Sequence, residues 1–270
     1  MPKMPEAGGI VGTERWEVCR PQVNRDGQGF IHRSGNDPAF VAEVRKYAEN
    51  YKDKTKVLIC EPSIGFIDYR AHESVVDLAV HCARYETRSN YKFFKTTMGR
   101  LLVPYAREKF AELAVDAGFE YVLFIDDDHV WPKDIFERLQ AHIKDYDMVA
   151  PLCLQRSYPY NPVIYKRHTT QSNGTTYIES KFHLDWEKGD LVTDADAIGF
   201  GCVIVKTELF KRIPQPWFFN MAPIGEDLSF CFKAKDVGCK ILVDTSIEAP
   251  HLSEGKAIDW SDYERAKGSR

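Results

Sequence analysis

At 270 residues the chain can bury a sizeable core as one large domain or two small ones, and 44% hydrophobic with 28% charged residues is ordinary for a soluble globular protein. A formal charge of −4, from 36 basic and 40 acidic residues, argues against a general nucleic-acid binder. The seven cysteines show no C-x-x-C spacing, which argues against a zinc knuckle or redox pair; several lie in apolar runs and read as small buried hydrophobes in a reducing compartment. The first residues, MPKMPEAGGIVG, lack the apolar stretch of a signal peptide, and no run approaches the ~20 apolar residues that span a bilayer. A cytoplasmic location is expected.

Residues 1–36 are rich in Gly, Pro, Asn and charge without a period, and read as an irregular arm. From Asp37, a candidate N-cap followed by Pro38, the spacing of Phe40, Val41, Val44 and Ala48 predicts a helix. KVLICE (56–61), halted by Pro62, predicts a buried strand. A helix is predicted over Ala71–Ala83 with Val75, Val76, Ala79 and Val80 as its stripe, and a strand over 91–97. Gly99–Ala117 predicts a helix, with Leu102, Tyr105, Ala106, Phe110, Leu113 and Ala117 recurring at three- and four-residue steps and Gly118 ending it. YVLFID (121–126) predicts a buried strand, Pro132 starts a helix carrying Ile135, Leu139 and Ile143, and DMVAPLCL (147–154) is a further strand.

This alternation implies βαβ crossovers and a mainly parallel sheet in an α/β fold. Residues 162–206 hold short β-type runs, a last helix follows GED at 225–227, and KILVDTS (240–246) is a final strand. One domain over 37–252 is expected, with a nucleotide-binding parallel half and a mixed β half on the acceptor side, then a tail over 253–270.

The sharpest feature is FIDDDHVWP (124–132). Three consecutive carboxylates follow a strand predicted to be buried, at the sheet edge where open α/β folds bind ligands. Their mutual repulsion favours a bound cation, and hard oxygen ligands suit Mg²⁺ or Mn²⁺ bridging to diphosphate oxygens. A helix cap would require only one of them, Asp127 or Asp128. Acidic residues at Glu226 and Asp227 suit either a helix N-terminus or a base removing a proton from an acceptor hydroxyl. Gly199 and Gly201, in an apolar stretch, mark a bulge, helix packing or close approach to a ligand.

FIDDDHVWP resembles the DxD region of GT-A glycosyltransferases, most similarly family 2 and its relatives in bacteria and their phages. Further segments match in order over residues 56–252: PYAREKFAELAVDAGF before the Asp triplet, DAIGFGCVIVKTELFKRI (196–213), GEDLSFCFKAKDVG (225–238) and VDTSIEAPHL (243–252). The resemblance implies a metal-dependent transferase of the GT-A (Rossmann-like) fold, hexosyl or pentosyl, with a nucleotide-sugar donor, expected to be a UDP-sugar. It makes Asp128 a ligand of the Mn²⁺ or Mg²⁺ and His251 the residue completing the metal site, the last predicted strand running beside the Asp-bearing one. Asp126 joins the metal or its water shell and approaches the nucleotide with Asp127, and Asp227 becomes the base of an inverting reaction with Glu226 beside it. Gly199 and Gly201 border the donor sugar, Arg107 neutralises diphosphate or fixes the nucleotide loop, and Pro62 and Ser63 form the nucleotide-facing turn.

Two departures stand out. Glu108 occupies a position where the family carries Asn, and no Asp-rich, base-reading turn occurs in 84–98, which leaves the nucleotide open. That stretch is basic instead (Arg84, Arg88, Lys92, Lys95, with Arg100 beyond), either a solvated face or a site for an anionic acceptor. Aromatic residues at 156–165 and in QPWFF (215–219) are either core or stacking platforms for sugars or bases. The acceptor is a glycan, a protein, a small molecule or a modified base in phage DNA. The competing readings are a non-catalytic nucleotide-sugar or carbohydrate binder and a metal-dependent phosphoryl-transfer enzyme, although no GxxxxGK[ST] loop is present.

Overall fold

A computed structural model describes residues 38–63, 65, 67–99, 101–172, 175–220, 224–253 and 255–269. The arm expected over 1–36 and the basic residue Arg100 lie outside them. In chain order the elements are α1 (Pro38–Asn50), β1 (Thr55–Ser63), α2 (Tyr69–Glu86), β2 (Tyr91–Gly99), α3 (Val103–Ala117), β3 (Tyr121–Ile125), α4 (Ile135–Gln140) and β4 (Met148–Leu152). There follow β5 (Ile164–Ser172), β6 (Thr175–Phe182), β7 (Leu191–Val192), β8 (Ala197–Ile198), β9 (Cys202–Lys206), α5 (Thr207–Arg212), α6 (Glu226–Asp236), β10 (Ile241–Glu248), β11 (His251–Ser253), β12 (Lys256–Ile258) and α7 (Trp260–Gly268). The segment expected as a tail therefore holds a strand and a helix, and α7 opens with a capping box between Asp259 and Asp262.

Seven strands form the main sheet in the order β2-β1-β3-β9-β4-β10-β7. β2, β1 and β3 are parallel, as are β4 and β10. β9, from much later in the chain, runs antiparallel between β3 and β4, and β7 is antiparallel to β10. Five of the seven strands, β2, β1, β3, β4 and β10, therefore run the same way, as expected of a mainly parallel sheet, with β9 and β7 opposed to them; β10 does not neighbour β3. A separate sheet, β6-β5-β8, carries the later β-type runs.

The pleat divides the core between the two faces of the main sheet. Leu58, Cys60, Val122 and Phe124 pack with Phe40 and Val44 of α1 and Phe110 and Leu113 of α3. Val57, Ile59, Leu123 and Ile125 pack with Val75 and Leu78 of α2 and Ile135 and Leu139 of α4. Burial on both faces explains why these strands are continuous apolar runs.

Two helices differ from the expected pattern. On α2 the buried stripe is Ala71, Ser74, Val75, Leu78 and Cys82, while Val76 and Val80 are 46% and 45% exposed. β2 extends through Gly99, so α3 starts only at Val103, with Pro104 in its first turn and Leu102 exposed; Gly118 ends it with φ 69°, the left-handed cap. Among the described residues no helix is long and apolar enough to cross a membrane.

Candidate active site

The site grows from the carboxyl end of β3. Asp126 N–H donates to the Gly201 carbonyl at 2.8 Å, which prolongs the β3–β9 pairing by one residue. The chain then turns through Asp127 and Asp128 and is tied to the segment after β10. His129 and His251 form an antiparallel bridge, Val130 N–H donates to Pro250 O at 3.0 Å, and Leu252 N–H donates to Asp128 O at 2.7 Å. This backbone pairing, and not a neighbouring core strand, brings His251 to the Asp triplet.

Asp128 lies between two imidazoles. His129 Nδ1 is 2.9 Å from Asp128 Oδ1, and His251 Nε2 is 3.2 Å from Oδ2, without hydrogen-bonding geometry. The rings stack with centroids 4.0 Å apart, and His129 also stacks on Trp131 at 4.8 Å. Asp128, His129 and His251 each offer an atom within 4.8 Å of the others, close enough to share one ion. The exposed guanidinium of Arg156 also reaches Asp128 Oδ2, at 3.3 Å. Desolvation would raise Asp128, but the His129 and His251 contacts win and hold it well below the usual carboxylate range. Desolvation pushes His129 down to about 4, against the pull of Asp128, so its ring is neutral at pH 7.

The chemistry of these donors fits a cation. His251 Nδ1 is 2.7 Å from the Leu154 carbonyl, an acceptor only, so Nδ1 carries a proton, and the tautomer that can ligate an ion presents its lone pair at Nε2. That lone pair meets a carboxylate oxygen, and two acceptors so placed are relieved by a positive charge between them. A carboxylate with imidazole suits Mn²⁺ better than Mg²⁺, which prefers an all-oxygen shell.

Asp126 is absent from this group. Both its oxygens accept from Arg107 Nη2, at 2.8 and 3.0 Å, while Arg107 Nη1 donates to Glu226 Oε1 at 2.5 Å. Arg107 is 3% exposed, its third contact is the Phe200 carbonyl, and Phe200 packs against the guanidinium. It therefore ties the triplet to α6 as a buried guanidinium. Desolvation lifts Asp126 to about 6 against the pull of Arg107, with Asp128 and Asp127 adding to the rise. Asp227, at the first turn of α6, accepts the Leu228 N–H at 2.8 Å. Desolvation raises its carboxyl above the ordinary value, Arg107 opposes the rise and Glu226 adds to it.

Residues 86–203 match the family model described as glycosyl transferase family 2. The structure is similar to that of A197 from STIV, with TM-score 0.51 at 20% identity over 77% of this chain and 91% of that one. The fold is of the GT-A type, and residues 86–203 are similar to glycosyl transferase family 2. It is also similar to GalNAc-T7, crystallised with UDP, GalNAc and Mn²⁺ (TM-score 0.44, 14% identity, 94% of this chain and 57% of that one), and to S. aureus TarS 1–349 (TM-score 0.35, 15% identity, 70% and 57%). No curated protein matches the chain in sequence.

Of the remaining candidates, Pro62 and Ser63 end a strand at this sheet edge and the two glycines pack against protein. Pro62 and Ser63 end β1 beside β3, two residues and more beyond the Cys60–Phe124 pair, on the same sheet edge as Asp126; the Ser63 hydroxyl accepts the Gly65 N–H at 3.1 Å. Gly199 and Gly201 are glycines because protein fills the space. A Cβ at Gly199 would meet Val163 at 2.8 Å, and one at Gly201 would meet His129 Cε1 at 2.9 Å, so on the Cβ side the close approach is made by protein. Glu108, where the family carries Asn, has a structural role. Its carboxylate accepts the backbone N–H groups of Trp217 (2.8 Å) and Phe218 (2.8 Å).

That anchoring makes Trp217 and Phe218 of QPWFF core rather than platform. Trp217 and Phe218 are buried, Trp217 Nε1 donates to Phe210 O and Ile213 O, and Phe218 stacks on Phe230 at 4.6 Å. Three residues of the basic stretch are paired: Arg88 with Glu137, Lys92 with Glu86, and Lys95 with Glu61. His129 is the site residue that sequence reasoning missed. Its signal was present, a histidine directly after the triplet with a glycine-flanked strand later to receive it.

Proposed function

We propose that this chain is a divalent-metal-dependent glycosyltransferase that moves a sugar from a nucleotide-sugar, a UDP-sugar in the first instance, to an acceptor hydroxyl with inversion. The observation that carries it is the pairing of Asp128 Oδ2 with the lone-pair nitrogen of His251 at the carboxyl edge of β3. Asp128 and His251 would hold the ion, whose charge, when bound, would offset that of the diphosphate leaving group. Asp126 belongs to the site through Arg107, with Asp127 in the turn between, and Pro62 and Ser63 border the nucleotide side.

Asp227 is the base. Glu226 is engaged by Arg107, whereas the Asp227 carboxyl is raised by desolvation above its ordinary value, which suits a proton acceptor. It takes the proton of the acceptor hydroxyl as that oxygen bonds to the anomeric carbon. The bond from that carbon to the diphosphate oxygen breaks, and its electron pair leaves with the nucleotide. Thermal shifts with a panel of nucleotide-sugars, with and without Mn²⁺, test the donor half, and mass spectrometry of products over glycan, protein, small-molecule and DNA acceptors tests the transfer. Stabilisation by a nucleotide-sugar only when Mn²⁺ is present is expected. Turnover undiminished in excess chelator would end the metal-dependent reading.

A further inference from the structure

We propose that His129 is a positioning residue: its Nδ1–H clamps Asp128 Oδ1 and so aims Oδ2 at His251 Nε2. This rests on the metal-site reading above. The clamp is built on every side. The ring is 2% exposed, lies between Trp131 and His251 in two stacks, and is fixed at its backbone by the bridge to His251. Nδ1 is 2.9 Å from Asp128 Oδ1, an acceptor, so the donated proton belongs there. Nε2 has no hydrogen-bond partner and faces Gly201, where even a Cβ would come within 3.0 Å. A ring sealed in this way holds its nitrogen at one point, and through it the Asp128 carboxylate at one rotation.

The carboxylate needs such a clamp. Asp128 sits in a turn, and the exposed Arg156 competes for Oδ2. Side chains that hydrogen-bond a metal-ligating group orient it, and their loss typically weakens metal binding by about 10–100-fold. His129 would act on the ion through Asp128, with no bond of its own to it.

Two substitutions separate the hydrogen bond from the stack. His129→Phe keeps a ring between Trp131 and His251 but has no donor, whereas His129→Asn places a side-chain N–H near the Nδ1 position without the ring. Mn²⁺ affinity is read by electron paramagnetic resonance in the absence of donor and acceptor, with circular dichroism as the folding control. Expected are a dissociation constant weakened about 10–100-fold in His129→Phe and one within about 3-fold of wild type in His129→Asn. Gly201→Ala, which leaves His129 in place but pushes its ring, should lose affinity as His129→Phe does, and it decides the matter if His129→Phe does not fold.

Wild-type affinity in His129→Phe, or in a folded Gly201→Ala when His129→Phe does not fold, would overturn the clamp, as would equal loss in His129→Asn and His129→Phe. Nitrogen couplings from two imidazoles on the wild-type-bound Mn²⁺ would make His129 a ligand and overturn it also. No Mn²⁺ binding by the wild-type chain is a different failure, that of the metal reading itself.

Discussion

Asp126 and Asp128 are two residues apart on one turn, yet the protein answers their charges in opposite ways. Asp126 meets a buried guanidinium that also holds Glu226, so its charge is matched inside the fold. Asp128 meets ring nitrogens: one proton donor, one lone pair and an exposed arginine that can leave. The first arrangement ties β3 to α3 and α6; the second leaves room for a cation. Adjacent carboxylates in one motif can thus divide architecture from ligand binding, and the division is set by what packs beneath each.

The largest expected effect tests the ligand side. Asp128→Ala should lower turnover by roughly 10³-fold or more, the scale of several kcal/mol of lost charge stabilisation, and abolish Mn²⁺ binding, while the metal-free chain still folds. A variant that melts far below wild type would place Asp128 with the architecture.

Arg107→Met should show the reverse. Removing one partner of a buried ion pair costs about 3–5 kcal/mol because uncompensated charge remains, and chemical denaturation would read this. The pH dependence has a definite sign. Asp126 is raised in the folded chain to about 6, so its contribution to stability is fully present below its ordinary value of 3.8 and is lost as pH rises through about 6. Without Arg107 that loss should steepen, the variant recovering stability on acidification. A denaturation profile parallel to wild type across this window would show that the guanidinium does not carry the pair.

Asp227→Asn should lower kcat by about 10²–10⁴-fold with little change in donor affinity, and Glu226→Gln should instead lower stability, since Glu226 belongs to the Arg107 side. Because desolvation raises Asp227, the acid limb of kcat/KM should lie above the ordinary carboxylate value of 3.8, activity falling as pH drops through it. If Glu226→Gln loses turnover and Asp227→Asn retains it, the base moves one residue.

The smallest effect is remote. Glu108→Ala leaves the Trp217 and Phe218 N–H groups without their acceptor and should cost about 1–3 kcal/mol of stability, read by thermal unfolding, with Mn²⁺ affinity unchanged. A change in that affinity would mean that the aromatic segment supports the site as well as the core.

Much of the fold and part of the candidate site were legible in the residues. Continuous apolar runs marked β1, β3 and β4 because strands buried on both faces carry no polar alternation. Gly118 marked the end of α3, because a left-handed cap favours glycine. Asp128, His251 and Asp227 stood out because carboxylates and imidazoles at strand ends and helix starts have few purely apolar explanations.

Tertiary structure decided the rest. The stripe on α2 could be drawn through Val76 and Val80 because valines lay on two faces, and only the sheet beneath chose Ala71, Val75, Leu78 and Cys82. No local pattern announced that β9 would insert antiparallel between β3 and β4, since strand order is a long-range property. The glycines of IGFGC betrayed a close approach, but which atoms approach depends on Val163 and His129, distant in sequence. Arg107, Asp126 and His129 carry the same formal chemistry wherever they lie. Whether each becomes a ligand, a tie or a clamp follows from burial and from the partner that the fold sets within hydrogen-bond reach, because desolvation and short-range contact fix where charge is held.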